Sequence, residues 1–550
     1  MHKVNTPELQ PWPQDTVNVR HTVLIALIIL GGALLRLFML TNQSLWFDEG
    51  QSLLMTDSRT IAGTLLEMAS HTGGDKYQPL YFMMLAEWRS MLGDSEFSLR
   101  IFSVLPGIVA LFFMYATVAN IYGSRHAVWS TTYLTVSAFW IGYSQEVRPY
   151  SLLFALGAIQ LFLLSPMLSG KYKPSTARVL VFSVMTGICC FASILLAVLT
   201  AALAISHLIV SSKRREWLHC WVPAALACTP AAFYLLGTPA VGDLAIDSTN
   251  GLGLPLYKNS LFAIYSVLVG HTYGPPLDTL RGSGLSGLLV YKMELLLLFV
   301  AALALIAGFM QTQISNRFIS NHRAAASFTR ANAFFVCVLA ISFVLAILVA
   351  KVSAINWMPC HSFYLSIPLA VLLPLTFSMV SSRTGISKLI NCTAKAGFVA
   401  VLGMNVFASY NYFYKSEYWR DDYRSAASYL ATQPHEMDSS IMLWGHPRLL
   451  SYYGDNSTQD RWEVNPRPVS TVMDDVRGNN GNVFVAINRE FTWARSLPQQ
   501  IDLQSQVSDN YDLVSVKKYV NFNIYEFSHI SNNVTETSQT APMVVESVAM

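Results

Sequence analysis

Residues Pro79 to Leu92 read PLYFMMLAEWRSML, and whether this stretch crosses a membrane decides the topology of the whole chain. It is 14 residues long and carries Glu87 and Arg89, whereas crossing about 30 Å of hydrocarbon at about 1.5 Å per residue takes about 20 apolar ones. Short, charged and aromatic-rich, it reads as an amphipathic helix on the membrane surface. Apolar runs of spanning length or nearly so lie around it at roughly 21–40, 100–121, 127–143, 150–168, 177–191, 192–210, 220–237, 287–309, 331–350, 362–380 and 391–408, about eleven in all. Arg125 with His126, then Lys171, Lys173 and Arg178, then Lys213, Arg214 and Arg215, then Arg317, Arg323 and Arg330, then Arg383 and Lys388 fall in alternate loops. Short loops rich in Lys and Arg stay cytoplasmic. With Pro79 to Leu92 on the surface, residues 1–21 are cytoplasmic, 41–99 form one long external loop, and the odd count puts the tail outside. If the stretch crossed, every later loop would change side and the basic loops would face outward.

Composition agrees with a polytopic membrane protein. Of 550 residues, 53% are hydrophobic and only 13% charged, against about 25% in soluble proteins, and the mean hydropathy is +0.39. The net charge of +3 hides a split. Residues 1–410 hold 25 Lys/Arg against 16 Asp/Glu, a balance of +9, and residues 411–550 hold 11 against 17, a balance of -6. A greasy basic body is followed by a polar acidic tail. Disordered, fibrous, nucleic-acid-binding and simple cytosolic classes are excluded. The run from His21 to Leu40 is too long for a removable signal peptide and lacks its small-residue cleavage site. The seven cysteines show no CxxC spacing and most lie in apolar runs, which argues against a structural metal knuckle.

The expected fold is therefore an all-α polytopic domain over 22–410 followed by an external α/β domain over 411–530. In the tail, a helix-like stretch at Arg420 to Ala431 precedes strand-like runs at Ile441 to Trp444, Val483 to Ile487, Tyr511 to Val516 and Phe522 to Phe527. Residues 531–550, rich in Ser, Thr and Asn, read as loose. Short loops suit a bacterial inner membrane; Asn456-Ser-Thr and Asn533-Val-Thr would be glycosylation acceptors in a secretory one.

Two clusters could carry chemistry. Asp48 and Glu49 in SLWFDEGQS open the external loop beside Trp46 and Phe47. Acids there could simply cap the helix that follows, or one could act as a general base with its proton affinity raised by partial desolvation. At the outer end of the third run, YSQEVRPYSLL supplies Glu146, Arg148 and Tyr150. A rim ion pair between Glu146 and Arg148 is one reading; a phosphate-binding Arg fork is the other. Arg36, His71, Asp75, Lys76, His271, Lys351 and His361 are further polar residues expected on the external side. A divalent cation shared by histidines and acids is conceivable, but no His-x-x-x-His spacing supports it. Nucleophile elbows, phosphate-cradling glycine loops and dinucleotide fingerprints are absent.

Taken in order, SLWFDEG, QPLYFMMLAEWRSMLGDSEFSLRIFSVLPG, YSQEVRPYSLL, PCHSFYLSIPLAVLL and EYWRDDYRSAASYL resemble the GT-C membrane glycosyltransferases, in the branch of protein O-mannosyltransferases and aminoarabinose lipid A transferases. The similarity is clearest over 22–165 and returns in pieces to about 430. The resemblance implies transfer of a sugar from a polyprenyl-phosphate carrier to a lipid, glycan or protein acceptor on the external face, with inversion. It implies that Asp48 deprotonates the acceptor hydroxyl, Glu49 helps position substrate or supports a cation, and Arg148, with Lys76, Lys351 or His361, stabilises the departing phosphate. Glu146, Tyr150, Tyr81 and Arg36 would line the substrate site. Two departures stand out: the family's His-Pro-Pro-Leu-Tyr is Gln78-Pro79-Leu80-Tyr81 here, and its late Arg-Tyr is replaced by His361 to Tyr364. The first weakens an inherited metal ligand; the second leaves a titratable His361, or Lys351, in place of a permanent cation.

Two other classes compete. A transporter or flippase of an amphiphilic lipid-linked substrate would carry ionisable residues deep in its spans and matched half-repeats, but the ionisable residues gather at the rim and no halves match. A membrane anchor with a partner-binding acidic tail would lose its function with residues 411–550.

Overall fold

The computed structural model describes residues 19–70, 74–168, 175–211, 214–238, 256–276, 279, 286–316, 322–352, 359–377, 385–432, 440–444, 446–454, 462–464, 483–488, 511–529 and 544–547. Expectations that fall on 1–18, Lys171, Lys173, Lys213, Arg317, Arg383, His71, Asn456 or Asn533 lie outside the described residues.

The helices, in chain order, are α1 (Val19–Leu37), α2 (Phe47–Met55), α3 (Ile61–Ser70), α4 (Pro79–Leu92), α5 (Glu96–Tyr122), α6 (Ser124–Val136), α7 (Ala138–Ser144) and α8 (Tyr150–Leu168). They continue as α9 (Thr176–Ala192), α10 (Ile194–Val210), α11 (Arg214–Ala227), α12 (Thr229–Gly237), α13 (Leu256–Val269), α14 (Lys292–Asn316), α15 (His322–Val352), α16 (Phe363–Leu375), α17 (Gly385–Tyr414), α18 (Tyr423–Ala431) and α19 (Pro447–Tyr453). Contacts divide the chain into two compact units, one of Met1–Leu40 with Ser58–Lys415 and one of Thr41–Asp57 with Ser416–Met550.

The first unit is the membrane body, and each expected apolar run is helical over most of its described residues. Among the described residues, five helices are long and apolar enough to cross a bilayer (α5, α8, and the main parts of α14, α15 and α17), and the bent pair α11–α12 makes six. The remaining runs are shorter apolar helices. Helix α1 turns Leu24, Leu27, Leu30 and Leu34 outward, a stripe at helical spacing that suits contact with lipid. The run expected at 127–143 is interrupted: Ser137 is extended (φ -61°, ψ 111°) between α6 and α7. The amide of Ala138, left without its helical acceptor, donates to Asn405 Oδ1 at 3.1 Å. Helix α13 was not anticipated. Its last carbonyls, Val267 and Leu268, accept from Tyr133 Oη at 2.9 and 3.2 Å, and Leu268 also accepts from Asn405 Nδ2 at 2.9 Å.

Pro79 to Leu92 is a helix over the expected residues, begun by Pro79 at its first position, where a missing N–H costs nothing. The segment 41–99 is largely helical. It holds α2, α3, a 3-10 turn at Gly74–Tyr77 and α4, and its first part belongs to the second unit. The body also runs past residue 410, because α17 stays helical to Tyr414.

The second unit carries a six-stranded sheet in the order β2-β1-β3-β5-β4-β6, formed by β1 (Ser440–Trp444), β2 (Trp462–Val464), β3 (Val483–Asn488), β4 (Tyr511–Tyr519), β5 (Phe522–His529) and β6 (Val544–Ser547). Strand β1 pairs in parallel with β2 and β3; β5 runs antiparallel to β3 and β4. The β4–β5 hairpin closes in two residues, with Asn521 in the left-handed region (φ 54°), a conformation Asn tolerates. The stretch expected to be loose, 531–550, contributes β6, parallel to β4 from Ser515 with Val544 to Lys518 with Ser547. Two adjacent β-branched valines suit an edge strand, a signal the polar composition around them obscures. Helix α18 is capped by Asp422, whose Oδ1 accepts from Ser425 N at 3.0 Å. Its Tyr423 ring meets Phe522 at 5.1 Å.

Candidate active site

A buried, charged corner of the membrane body lies where α7 gives way to α8. Gln145 ends α7, and its Nε2 donates to the carbonyls of Arg36 at 3.0 Å and Phe38 at 2.8 Å, fixing the end of α1. A tight turn follows, with Arg148 N donating to Glu146 O at 2.8 Å, and α8 begins at Tyr150. Arg148 is 5% exposed. Its guanidinium grips Asp75 with both terminal nitrogens, Nη2 to Oδ1 at 2.7 Å and Nη1 to Oδ2 at 3.3 Å. Asp75 sits in the Gly74–Tyr77 turn beside Lys76, which is fully buried. Burial lowers the pKa of the Lys76 ammonium from the ordinary lysine value, and this ammonium lies 5.4 Å from the Tyr77 ring centre. The turn is tied to α12 by Tyr234 Oη, which donates to Lys76 O at 2.9 Å.

Hydrogen bonds brace the floor of this corner. Tyr81 Oη and Ser103 Oγ are 3.0 Å apart. Ser103 Oγ donates to Arg148 O at 3.4 Å, and Ser151 Oγ to Ser103 O at 2.6 Å. Tyr150 carries the aromatic wall: its ring lies 5.1 Å from Tyr143 and 6.4 Å from His361, and the Arg148 guanidinium is 5.9 Å from it. The structure thus gathers Arg148, Lys76, Glu146, Tyr150, Tyr81 and His361, with Asp75 as Arg148's carboxylate partner. Sequence reading placed Asp75 on the external side but gave it no role, because its pairing joins residues 73 positions apart. Four buried or nearly buried charges, on Asp75, Lys76, Glu146 and Arg148, balance formally, which lets them persist in a poorly solvated place. An Arg fork closed on a carboxylate has the geometry that also suits a phosphate.

Other expected residues are elsewhere. Arg36, expected to bind substrate, is 1% exposed inside the body. Its Nη1 and Nη2 donate to Gly32 O at 3.0 Å and Leu134 O at 3.2 Å, joining α1 to α6. These contacts brace α1 against α6. Lys351 is exposed in the last turn of α15.

Asp48 and Glu49 belong to the second unit. Glu49 is fully buried, and its Oε2 accepts from Trp46 N at 3.2 Å, so it closes the first turn of α2 on itself. Asp48, one position earlier, is half-buried. The capping reading therefore holds for Glu49. Among the described residues no three His, Cys, Asp or Glu side chains are grouped to share a metal ion.

Residues 76–237 match the family described as dolichyl-phosphate-mannose-protein mannosyltransferase. That segment contains Lys76, Tyr81, Glu146, Arg148 and Tyr150, and with them most of the charged corner. The match covers well under half of the chain. No curated protein matches this chain in sequence. In structure it is similar to the oligosaccharyltransferase AglB of Archaeoglobus fulgidus, in complex with an inhibitory peptide and a dolichol-phosphate, at 12% identity and a TM-score of 0.48, covering 92% of this chain and 74% of that one. It is also similar to ArnT of Cupriavidus metallidurans: 14% identity and TM-score 0.37 in the apo state, covering 92% of this chain and 98% of that one. For ArnT bound to undecaprenyl phosphate the values are 15% and 0.37, covering 92% and 97%.

Proposed function

We propose that this protein is a GT-C membrane glycosyltransferase that moves a hexose or pentose from a polyprenyl-phosphate carrier to a lipid, glycan or protein acceptor on the external face of the membrane, with inversion at the anomeric carbon. The observation that carries the reading is the buried Arg148–Asp75 fork beside Lys76, within or next to the segment that matches a family described by a dolichyl-phosphate-linked sugar. Breaking the anomeric carbon–oxygen bond leaves its electron pair on the phosphate. Two cations fixed in a poorly solvated wall stabilise that charge without reorganising. The carrier phosphate takes over the Arg148 fork from Asp75, and Lys76 supplies a second positive charge. In this reading the acceptor hydroxyl gives its proton to Asp48 as its oxygen bonds to the anomeric carbon.

The test is incubation of purified protein with a panel of polyprenyl-phosphate sugars, following carrier phosphate release with and without a chelator. Asp48→Asn is expected to fold, insert and bind donor while transferring no sugar. Full transfer by Asp48→Asn would remove Asp48 from the role of base.

A further inference from the structure

The helix that bears Asp48 is built into the C-terminal domain. Thr41–Asp57 and Ser416–Met550 form one compact unit, although α2 lies between α1 and α3 in sequence. The attachment runs the length of the segment. Arg424 Nη2 donates to Thr41 O at 3.0 Å. Ser44 Oγ donates to Asp421 O at 2.6 Å and accepts from Tyr423 N at 3.1 Å. Leu45 N donates to Tyr453 Oη at 2.7 Å, and the Arg420 guanidinium lies 3.9 Å from the Trp46 ring centre. At the far end Arg448 pairs with Asp57 at 2.6 Å.

His446 sits at the centre of this seam, 3% exposed. It precedes α19, and its amide donates to Tyr423 Oη at 2.9 Å. Its ring meets Phe47 edge-on at 5.1 Å, and its Nε2 is 3.4 Å from Gln51 Oε1. Its Nδ1 has no hydrogen-bond partner among the described residues and faces Gly50, where a Cβ would come within 2.8 Å of it and within 2.7 Å of Leu449 Cγ. Only glycine permits that approach. Phe47, Gly50 and Gln51 flank Asp48 on both sides, and all three meet His446, so this one ring fixes the turn of helix from which the Asp48 carboxylate projects.

The geometry points to His446 as a positioning residue for Asp48, acting through Gly50 and Gln51, and so to a C-terminal domain that aligns the base instead of serving only as an appended acceptor-binding module. This rests on the reading of Asp48 as the base. Neutral His446 with its proton on Nε2 donates to Gln51 while its bare Nδ1 lies against Gly50. A glutamine amide can replace the first contact; a leucine cannot.

The experiment uses the full chain in lipid nanodiscs with one polyprenyl-phosphate sugar, normalised to protein that elutes folded from gel filtration. His446→Leu and Gly50→Ala are expected to lower kcat on the order of ten- to a hundred-fold, as small misplacements of catalytic groups do, with donor KM within about two-fold and faster amide exchange over 47–55. His446→Gln is expected to recover most of kcat. Wild-type kcat in both His446→Leu and Gly50→Ala, with Asp48→Asn inactive, would overturn the positioning role and leave the base assignment standing. Wild-type kcat in Asp48→Asn would overturn the base assignment, and this inference with it. A loss in His446→Leu that His446→Gln does not relieve, or that appears wholly in donor KM, would also overturn the inference.

Discussion

Arg148 and Asp75 face each other through two parallel contacts, at 2.7 and 3.3 Å, with Arg148 nearly excluded from solvent. The carboxylate holds the fork in the shape that a phosphate would use. Removing one partner of a buried pair leaves an uncompensated charge and costs about 3–5 kcal/mol. Asp75→Asn is therefore expected to lower thermal stability and, in the protein that survives, to bind free polyprenyl phosphate more tightly. Thermal unfolding with and without that phosphate checks both. A variant as stable as wild type and no more sensitive to product would contradict the role given to Asp75.

Lys76 supplies a pH signature. Its ammonium loses its proton below the ordinary lysine range because burial disfavours the charged form. As pH rises through that lowered pKa, the second phosphate-stabilising charge disappears, so kcat/KM for donor is expected to fall on the alkaline side earlier than an exposed lysine would cause. Lys76→Arg, which keeps its charge, is expected to move that limb upward. An identical alkaline limb in the variant would place the titration elsewhere.

Tyr81 and Ser103 hold α4 to α5 beside the Arg148 carbonyl. Tyr81→Phe removes a buried hydroxyl pair and is expected to cost about 1 kcal/mol, measured by denaturation, with a modest rise in donor KM. This tyrosine acts as a brace, so a change in kcat alone would argue for direct contact with the reacting sugar.

His446 makes the second unit acid-sensitive. Burial first, and Arg448 second, lower its pKa from 6.5 to about 4. The unfolded chain therefore binds the proton more readily than the folded one between those values. Stability is complete above about pH 6.5 and falls as pH drops toward about 4. Charged His446 would face Gly50 on α2, near Arg448, with Asp57 paired to Arg448 and Glu49 turned back to Trp46. Amide exchange over 47–55 is expected to quicken across that window in wild type, and to lose the pH dependence in His446→Gln.

Much of the fold was legible because its signals are local. Apolar length marked the helices of the body, and short apolar runs marked β1, β3, β4 and β5. Pro79 with its short, charged continuation gave α4 its bounds. The break at Ser137 was hidden because its unmet amide is satisfied by Asn405, 267 positions away. Helix α13 was missed because its polar Lys258, Asn259 and Ser260 interrupt the apolar run. At the candidate site, residue types were readable and partners were not. Arg148 announced a buried charge, but Asp75 came from another segment, and the carbonyl partners of Arg36 lie on α1 and α6. The membership of α2 in the C-terminal unit, and with it His446, leaves no periodic or compositional trace.

The most direct test of the central claim is carrier phosphate release from a polyprenyl-phosphate sugar, measured for wild type and Arg148→Ala at matched folded concentration. The account predicts release coupled to sugar transfer in wild type, and a loss on the order of a hundred-fold or more in the variant, as expected for removing a charge stabiliser at the leaving group. Transfer by Arg148→Ala at the wild-type rate would contradict it.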